Sequence, residues 1–246
     1  MTAPVDLTAN SDRALLVLSV LAQSTQAMTA VELVAATGLA KSTLYRQIAV
    51  LRRWGFVMES DGRYSPGPVS VQLASGFDDN SELVRAARMD MQALASQSRE
   101  SVALVVPVRD RVVCLDMIDS MYSLRCSFDK GRNVPLRDGA SAKSLLAHLP
   151  RPERDATLDA LGEGIARRAT RAAELDAIQR AGYAVTSGEV DPGVWGISAP
   201  LLAFGRQLRG AITLMAPLTR VAGKEAAFIH MTVVTAARIS RSLQSP

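Results

Sequence analysis

The sequence predicts an α+β fold in two parts: three helices and a hairpin first, then helices around a largely antiparallel sheet. Three observations predict it. Apolar residues recur at helical spacing through residues 11–54. Asp61-Gly62 then sits between two short runs, Phe56-Val57-Met58 and Arg63-Tyr64, which is the pattern of a tight hairpin. From Ser101 onward the period changes to short β-branched runs separated by turn residues, with helical segments between and after them.

The elements follow in order. Residues 1–10 read as a flexible tail. Ser11-Asp12 opens a helix whose stripe is Ala14, Leu15, Leu18, Leu21 and Ala22. Thr29 caps a short second helix carrying Val31, Leu33, Val34 and Ala36. Thr37-Gly38-Leu39 fits a tight turn, because glycine reaches backbone conformations closed to most residues. A third helix runs from Ala40 to about Trp54, with Leu44, Ile48 and Leu51 on one face, and Gly55 stops it. Pro66-Gly67-Pro68 closes the unit. Residues 69–98 are helical with an interruption near Gly76 to Asn80; the stretch from Ser81 reads equally as a linker helix or as the first helix of the second domain. Val102 to Val108 and Val112 to Ile118 read as strands joined at Arg109-Asp110. Ser141 to Leu149 and Ala172 to Ala181 are helical. Tyr183 to Thr186, Trp195 to Leu202 and Leu208 to Met215 are strands, and a last helix spans Lys224 to Leu243. The expected boundaries are a tail over 1–10, a first domain over 11–68, linker helices over 69–99 and a second domain over 100–246.

Bulk properties narrow the function classes. A chain of 246 residues is long for one average domain and comfortable for two. Its 48% hydrophobic content excludes bulk disorder. A formal charge of +4 permits nucleic-acid binding without requiring it. Cys114, Cys126, His148 and His230 lack metal-ligand spacing, so neither metal nor cofactor is expected. The two isolated cysteines fit a reducing compartment. The first ten residues lack the basic start of a signal peptide, and no uninterrupted apolar run reaches membrane-spanning length. A soluble cytoplasmic protein without a membrane partner is expected.

Two helices, a glycine turn, a third helix with a polar outer face and a hairpin are the order of a winged helix-turn-helix. Such a third helix can enter a major groove, where base edges carry a distinguishable donor and acceptor pattern. Arg46 and Gln47 suit base edges: Arg forks onto guanine and Gln onto adenine. Lys41, Ser42, Thr43 and Tyr45 stand near the helix start, where free N–H groups favour phosphate. Arg52, Arg53 and Arg63 are placed for the DNA backbone or minor groove, and Arg13 for a phosphate beside the first helix. A solvated three-helix bundle, or a winged helix used only for protein contact, carries the same pattern, so the residues alone leave DNA binding open.

Enzyme motifs fail in detail. Gly139-Ala140-Ser141-Ala142-Lys143 approaches G-x-S-x-G but lacks the last glycine that a nucleophile elbow needs. Lys143-Ser144 resembles a P-loop ending, yet Arg137 and Ala142 occupy positions where glycines must admit phosphate. A non-enzyme is expected.

Arg13-Ala14-Leu15, the run Lys41 to Arg46 and Gly62-Arg63-Tyr64 resemble the IclR family of bacterial regulators. So do Gly131 to Leu136, Ala140 to Ala147, Gly182 to Val185, Gly193-Val194-Trp195 and Ala199-Pro200, in the family's order, so the resemblance spans roughly residues 11–245. It implies a winged helix-turn-helix, a linker helix and a GAF-like α+β sensor domain. It also implies a homodimer or tetramer on a pseudo-palindromic DNA operator, with repression of a catabolic operon relieved by a small-molecule effector. The implied effector pocket includes Gly139, Ala140 and Ser141, whose backbone N–H groups suit a carboxylate. It includes Thr186, Val194, Trp195, Gly196, Thr213 and Met215, with Met117 and Cys126 as further wall residues. The sequence departs from the family at Arg137, where a histidine is frequent, at Ala142, where glycine is usual, and at Trp195 and Met215, where some relatives are polar. These departures imply a more aromatic, less polar pocket, suited to a small aromatic acid paired with Arg137. The plainer alternative makes Trp195 core and Arg137 a surface charge.

Overall fold

A computed structural model describes residues 10–244. The chain divides into two compact units between Ser81 and Glu82.

The first unit holds α1 (Asn10–Gln23), β1 (Met28–Thr29), α2 (Ala30–Thr37), α3 (Lys41–Arg53), β2 (Val57–Ser60), β3 (Arg63–Pro66) and α4 (Val69–Asn80). Thr29 starts α2 with a reciprocal cap. The Glu32 N–H donates to Thr29 Oγ1 at 3.3 Å, and the Thr29 N–H donates to Glu32 Oε2 at 2.6 Å. Each bond satisfies a donor that a helix start leaves open. Gly38 ends α2 in the left-handed region at φ 68, donating its N–H to the Val34 carbonyl. Asp61 and Gly62 both have positive φ, 51 and 73, as a two-residue hairpin turn with the right twist demands. The predicted hairpin is extended by β1, which pairs with β3 through Met28↔Tyr64. Two residues are too few to show a strand period. Val17, Leu21, Leu33, Leu44, Ile48, Leu51, Val57 and Tyr64 form the core. On α1 the buried stripe is Val17 and Leu21, whereas the predicted Leu15 and Ala22 are exposed. Helix α4 continues to Asn80 and breaks at Ser81, and it buries no residue.

The second unit begins with α5 (Glu82–Ser98) and continues with β4 (Ser101–Val108), β5 (Arg111–Ile118), β6 (Asn133–Pro135), α6 (Ala140–His148), α7 (Arg151–Ala160), α8 (Ile165–Ala181), β7 (Ala184–Ser187), β8 (Val194–Leu202), β9 (Leu208–Pro217), α9 (Leu218–Val221) and α10 (Glu225–Ser242). The strands form one sheet in the order β6-β5-β4-β9-β8-β7, and every pairing is antiparallel. Each strand sends alternate side chains to opposite faces. Val102, Leu104, Trp195, Ile197, Ile212 and Leu214 join one core with α5 and α10, through Leu83, Met91, Leu94, Phe228 and Ile239. Ala103, Val105, Ala211 and Met215 join the other, with Leu145 and Leu146 of α6 and Leu175 of α8. Helix α5 therefore packs as a layer of this unit. Of the predicted linker segment 69–99, only α4 lies outside the second unit. Helix α7 and the first half of α8 lie where no helix was predicted.

Gly67 closes the wing. Its N–H donates to the Phe56 carbonyl at 2.8 Å, and a Cβ there would stand 2.3 Å from the Gly55 carbonyl oxygen. That oxygen belongs to backbone and cannot rotate away. Gly67→Ala is expected to destabilise the first unit by about 1–3 kcal/mol, the usual cost of overpacking. Thermal unfolding checks it: the midpoint of the N-terminal transition falls, and an unchanged midpoint contradicts the close approach.

Candidate functional site

Helix α3 has a strongly divided surface. Leu44, Gln47, Ile48 and Leu51 are buried, while Lys41, Ser42, Tyr45, Arg46 and Arg53 are exposed and Thr43 is half-buried. The helix contains no acidic residue, and no side chain caps its first turn. Its initial N–H groups therefore stand open to an anion. Arg46 leans back on Thr43, Nη2 to Oγ1 at 3.4 Å. Arg52 pairs with Glu59 on the wing. Arg63 donates from Nη1 to the Ala27 carbonyl at 2.9 Å and lies 3.8 Å from Glu32. Arg13 is half-buried on α1.

Gln47 departs from its expected role. It is 2% exposed, and its Nε2 donates to Asn10 Oδ1 at 2.6 Å. The residue lies three positions after Leu44 and four before Leu51, on the apolar stripe, and its amide is consumed inside the unit. Gln47 does not reach outward as a base contact.

The second unit encloses a cavity of about 540 Å³ between the α6 side of the sheet, the start of α6, and the segments around residues 124–128 and 189–193. Cys126, Gly139, Ala140, Ser141, Thr186, Val194, Gly196, Thr213 and Met215, wall residues that the family resemblance implies, line it. Strand register explains the grouping: Gly196 pairs with Met215 and Ser198 with Thr213, so these neighbours share one face. On the floor, Ser141 Oγ and Thr213 Oγ1 are 2.8 Å apart, and Thr213 donates onward to Ser198 Oγ at 2.9 Å.

Three predicted wall residues stand elsewhere. Trp195 is the strand neighbour of Val194 and Gly196, so its side chain points to the opposite face. It is 2% exposed in the α5–α10 core, with its ring centroid 6.0 Å from that of Phe228. Arg137 is exposed, donating from Nε to Asp138 Oδ2 at 2.7 Å. Met117 packs against the α6-side core and does not line the cavity. The pocket is thus less aromatic than predicted, and its sequence-visible cation is absent from the wall.

Other wall residues escaped the sequence, among them Leu124, Phe128, Val134, Glu189 and Leu218. They come from loops and short elements that show no period. Glu189 organises the entrance: Oε2 accepts the Gly139 N–H at 3.1 Å and Oε1 accepts from Lys143 Nζ at 2.6 Å. Lys143 also donates to Glu174 at 2.6 Å. Burial alone lowers the pKa of Lys143, but its two carboxylates outweigh that and raise it, so the ammonium stays charged. Among the described residues no group of three or more metal-ligating side chains is present, and no helix is long and apolar enough to cross a membrane.

A helix-turn-helix with an open, carboxylate-free third helix and a wing, joined to a sheet domain with a ligand-sized cavity, defines a class: winged-helix DNA-binding proteins with a second, cavity-bearing domain. Residues 12–61 match the IclR helix-turn-helix domain, and residues 78–241 match the bacterial transcriptional regulator IclR C-terminal domain. The chain belongs to the IclR family of DNA-binding bacterial transcriptional regulators. It is 29% identical over 208 residues to the HTH-type transcriptional regulator KipR of Bacillus subtilis, covering 82% of this chain and 80% of KipR. Its fold is similar to that of an IclR family transcriptional regulator from Brucella abortus (TM-score 0.82, 21% identity, 99% of this chain and 96% of that one). It is similar also to an IclR homologue from Microbacterium hydrocarbonoxydans complexed with 4-hydroxybenzoate (TM-score 0.74, 20% identity, 96% and 99% covered).

The two thiols sit in different places and give a chemical test. Burial pushes Cys114 up to about 11, with Asp116 adding to it, and burial also raises the pKa of Cys126 on the cavity wall. A raised pKa leaves less thiolate at any given pH, and thiolate is the reactive form. At pH 8, iodoacetamide is expected to modify Cys114 at least about tenfold more slowly in the native protein than in urea, from the thiolate fraction. Mass spectrometry of the two peptides checks this; equal native and denatured rates for Cys114 contradict its burial.

Proposed function

We propose that the N-terminal domain reads a pseudo-palindromic operator through α3, and that a small organic acid in the Gly139 cavity modulates that binding. The cavity carries the reading. Its walls are mainly apolar, from Phe128, Val134, Val194, Met215 and Leu218, with the Ser141–Thr213 pair beside the start of α6 and the charged groups Arg125, Asp138, Glu189 and Asp191 elsewhere on the lining. A carboxylate is met at the start of α6 by the Ala140 and Ser141 backbone N–H groups, the Gly139 N–H being taken by Glu189. The ring or chain lies between Phe128 and Met215. The 4-hydroxybenzoate held by the Microbacterium homologue supports a single-ring acid of this size.

Arg46 is the base-reading residue, with Lys41, Ser42, Thr43, Tyr45 and Arg53 on phosphates. Arg13, Arg52 and Arg63 add positive charge near the duplex. The protein acts as a homodimer, whose two-fold axis matches the operator's. Helix α4 supplies part of the interface, because Leu73 and Phe77, one turn apart, are 60% and 44% exposed. The effector relieves repression by favouring one arrangement of the paired DNA-binding domains.

A gel-shift titration on the gene's upstream region against scrambled DNA tests the reading, with 4-hydroxybenzoate and a panel of aromatic and aliphatic acids. A specific shift released by one acid is expected. A shift that no acid affects overturns the effector role, and no specific shift at any salt overturns operator reading by this domain. Arg46→Ala is expected to cost about 1–3 kcal/mol of discrimination as a lost bidentate base contact. Gln47→Ala should lower the melting temperature while leaving base preference intact. Phe77→Glu is expected to give monomers in sedimentation velocity; an unaltered dimer removes α4 from the interface.

A further inference from the structure

A second concavity lies in the C-terminal domain, between the end of α6, strand β8 with the turn after it, and α10. Its volume is about 470 Å³. Ala199, Leu202, Val233 and Ala236 give it an apolar floor, and among the described residues no Asp or Glu lines it. Its charged groups are Arg206 and Arg241, and neither has an ion pair or side-chain hydrogen bond among the described residues. Arg206 is held at φ 61, next to Gly205 at φ 67. A non-glycine residue there carries strain, of the kind retained where a side chain must be presented.

His148, at the C-terminal end of α6, also lines the groove and is 9% exposed. Its Nδ1 lies 2.8 Å from the Ser144 carbonyl oxygen. A carbonyl only accepts, so Nδ1 carries the proton and Nε2 is left without a hydrogen-bond partner among the described residues. Burial, and after it the neighbouring Arg206, hold the imidazole pKa below its ordinary value. Positive charge with no ion-pair partner among the described residues, over an apolar floor, attracts a molecule that is apolar along its length and negative at one end.

We propose that this groove is a second ligand site, separate from the Gly139 cavity, which takes a small amphipathic monocarboxylate whose charge is met by Arg206 and Arg241. The two sites share α6, which starts at the cavity and ends at the groove.

Octanoate titrated into the full chain, followed by imidazole NMR, tests this. The chain has only two histidines, His148 and the exposed His230, so the reporter is unambiguous. A saturable change at His148 is expected with His230 unmoved, and octan-1-ol should bind about tenfold more weakly for want of the charge-assisted contact. The double variant Arg206→Ala, Arg241→Ala should lose about tenfold in octanoate affinity, while the double Lys variant stays within about threefold. An unmoved His148 overturns the proposal. So does full affinity in the Ala variant, which places octanoate in the Gly139 cavity acting through α6. A His148 change that follows protein concentration without octanoate assigns the groove to a second copy of the chain and overturns it as well.

Discussion

The alternation of side chains along β8 and β9 is the constraint on which the C-terminal domain depends. Trp195, Ile197, Ala199 and Leu201 all go to the α5–α10 core, and so do Ile212, Leu214 and Ala216. The intervening residues, Val194, Gly196, Ser198, Thr213 and Met215, are thereby committed to the α6 face. The α6 face carries its own core but stays unfilled beside the start of α6. Small residues keep it so: a Cβ on Gly196 would already stand 3.5 Å from the Ala140 Cβ, and one on Gly139 would meet Val190 at 2.7 Å. The cavity is what remains where glycine and alanine occupy positions that larger residues fill elsewhere.

The cavity walls are tied by charge as well as by packing. Lys143 links α6 to Glu174 of α8 and to Glu189 beside the cavity mouth. Arg220 grips Glu100 through two bonds, 2.7 and 2.6 Å, and donates to the Leu124 carbonyl at 2.9 Å, while its guanidinium lies 4.5 Å from the Tyr122 ring centroid. Leu124 is itself a wall residue, so this ion pair fixes a loop that has no regular structure to hold it. Glu100 is 2% exposed, and a buried carboxylate left unpaired is costly. Such ties hold geometry while leaving the apolar lining free for a ligand.

The N-terminal domain solves the opposite problem. Its core is small, and α3 carries no acidic residue of its own and no side-chain cap at its start. Gln47 shows how narrow the division is. One residue beyond Arg46 the helix has turned about 100°, and the amide that looked suited to adenine is 2% exposed and bound to Asn10. Trp195 teaches the same lesson in the second domain. A motif tells which segment approaches a site, but the direction of each side chain follows from the element's period.

The sequence by itself determined the elements whose causes are local. Thr29 before Val31, Leu33 and Val34 marks a helix start; Asp61-Gly62 suits the positive φ of its turn; Leu44, Ile48 and Leu51 repeat at helical spacing. It also determined the family, because many short motifs in one order are specific together. The tertiary structure alone decided which residues meet across long separations: Ser141 with Thr213, Gly139 with Glu189, Arg220 with Glu100. It decided the short or aperiodic pieces too, β1, β6 and the loop around Leu124, and it placed Trp195 in the core and Gln47 inward. Local signals are carried by a few adjacent residues. Pairings across 50, 72 and 120 positions are set by sheet register and by burial, which exist only once the chain has folded.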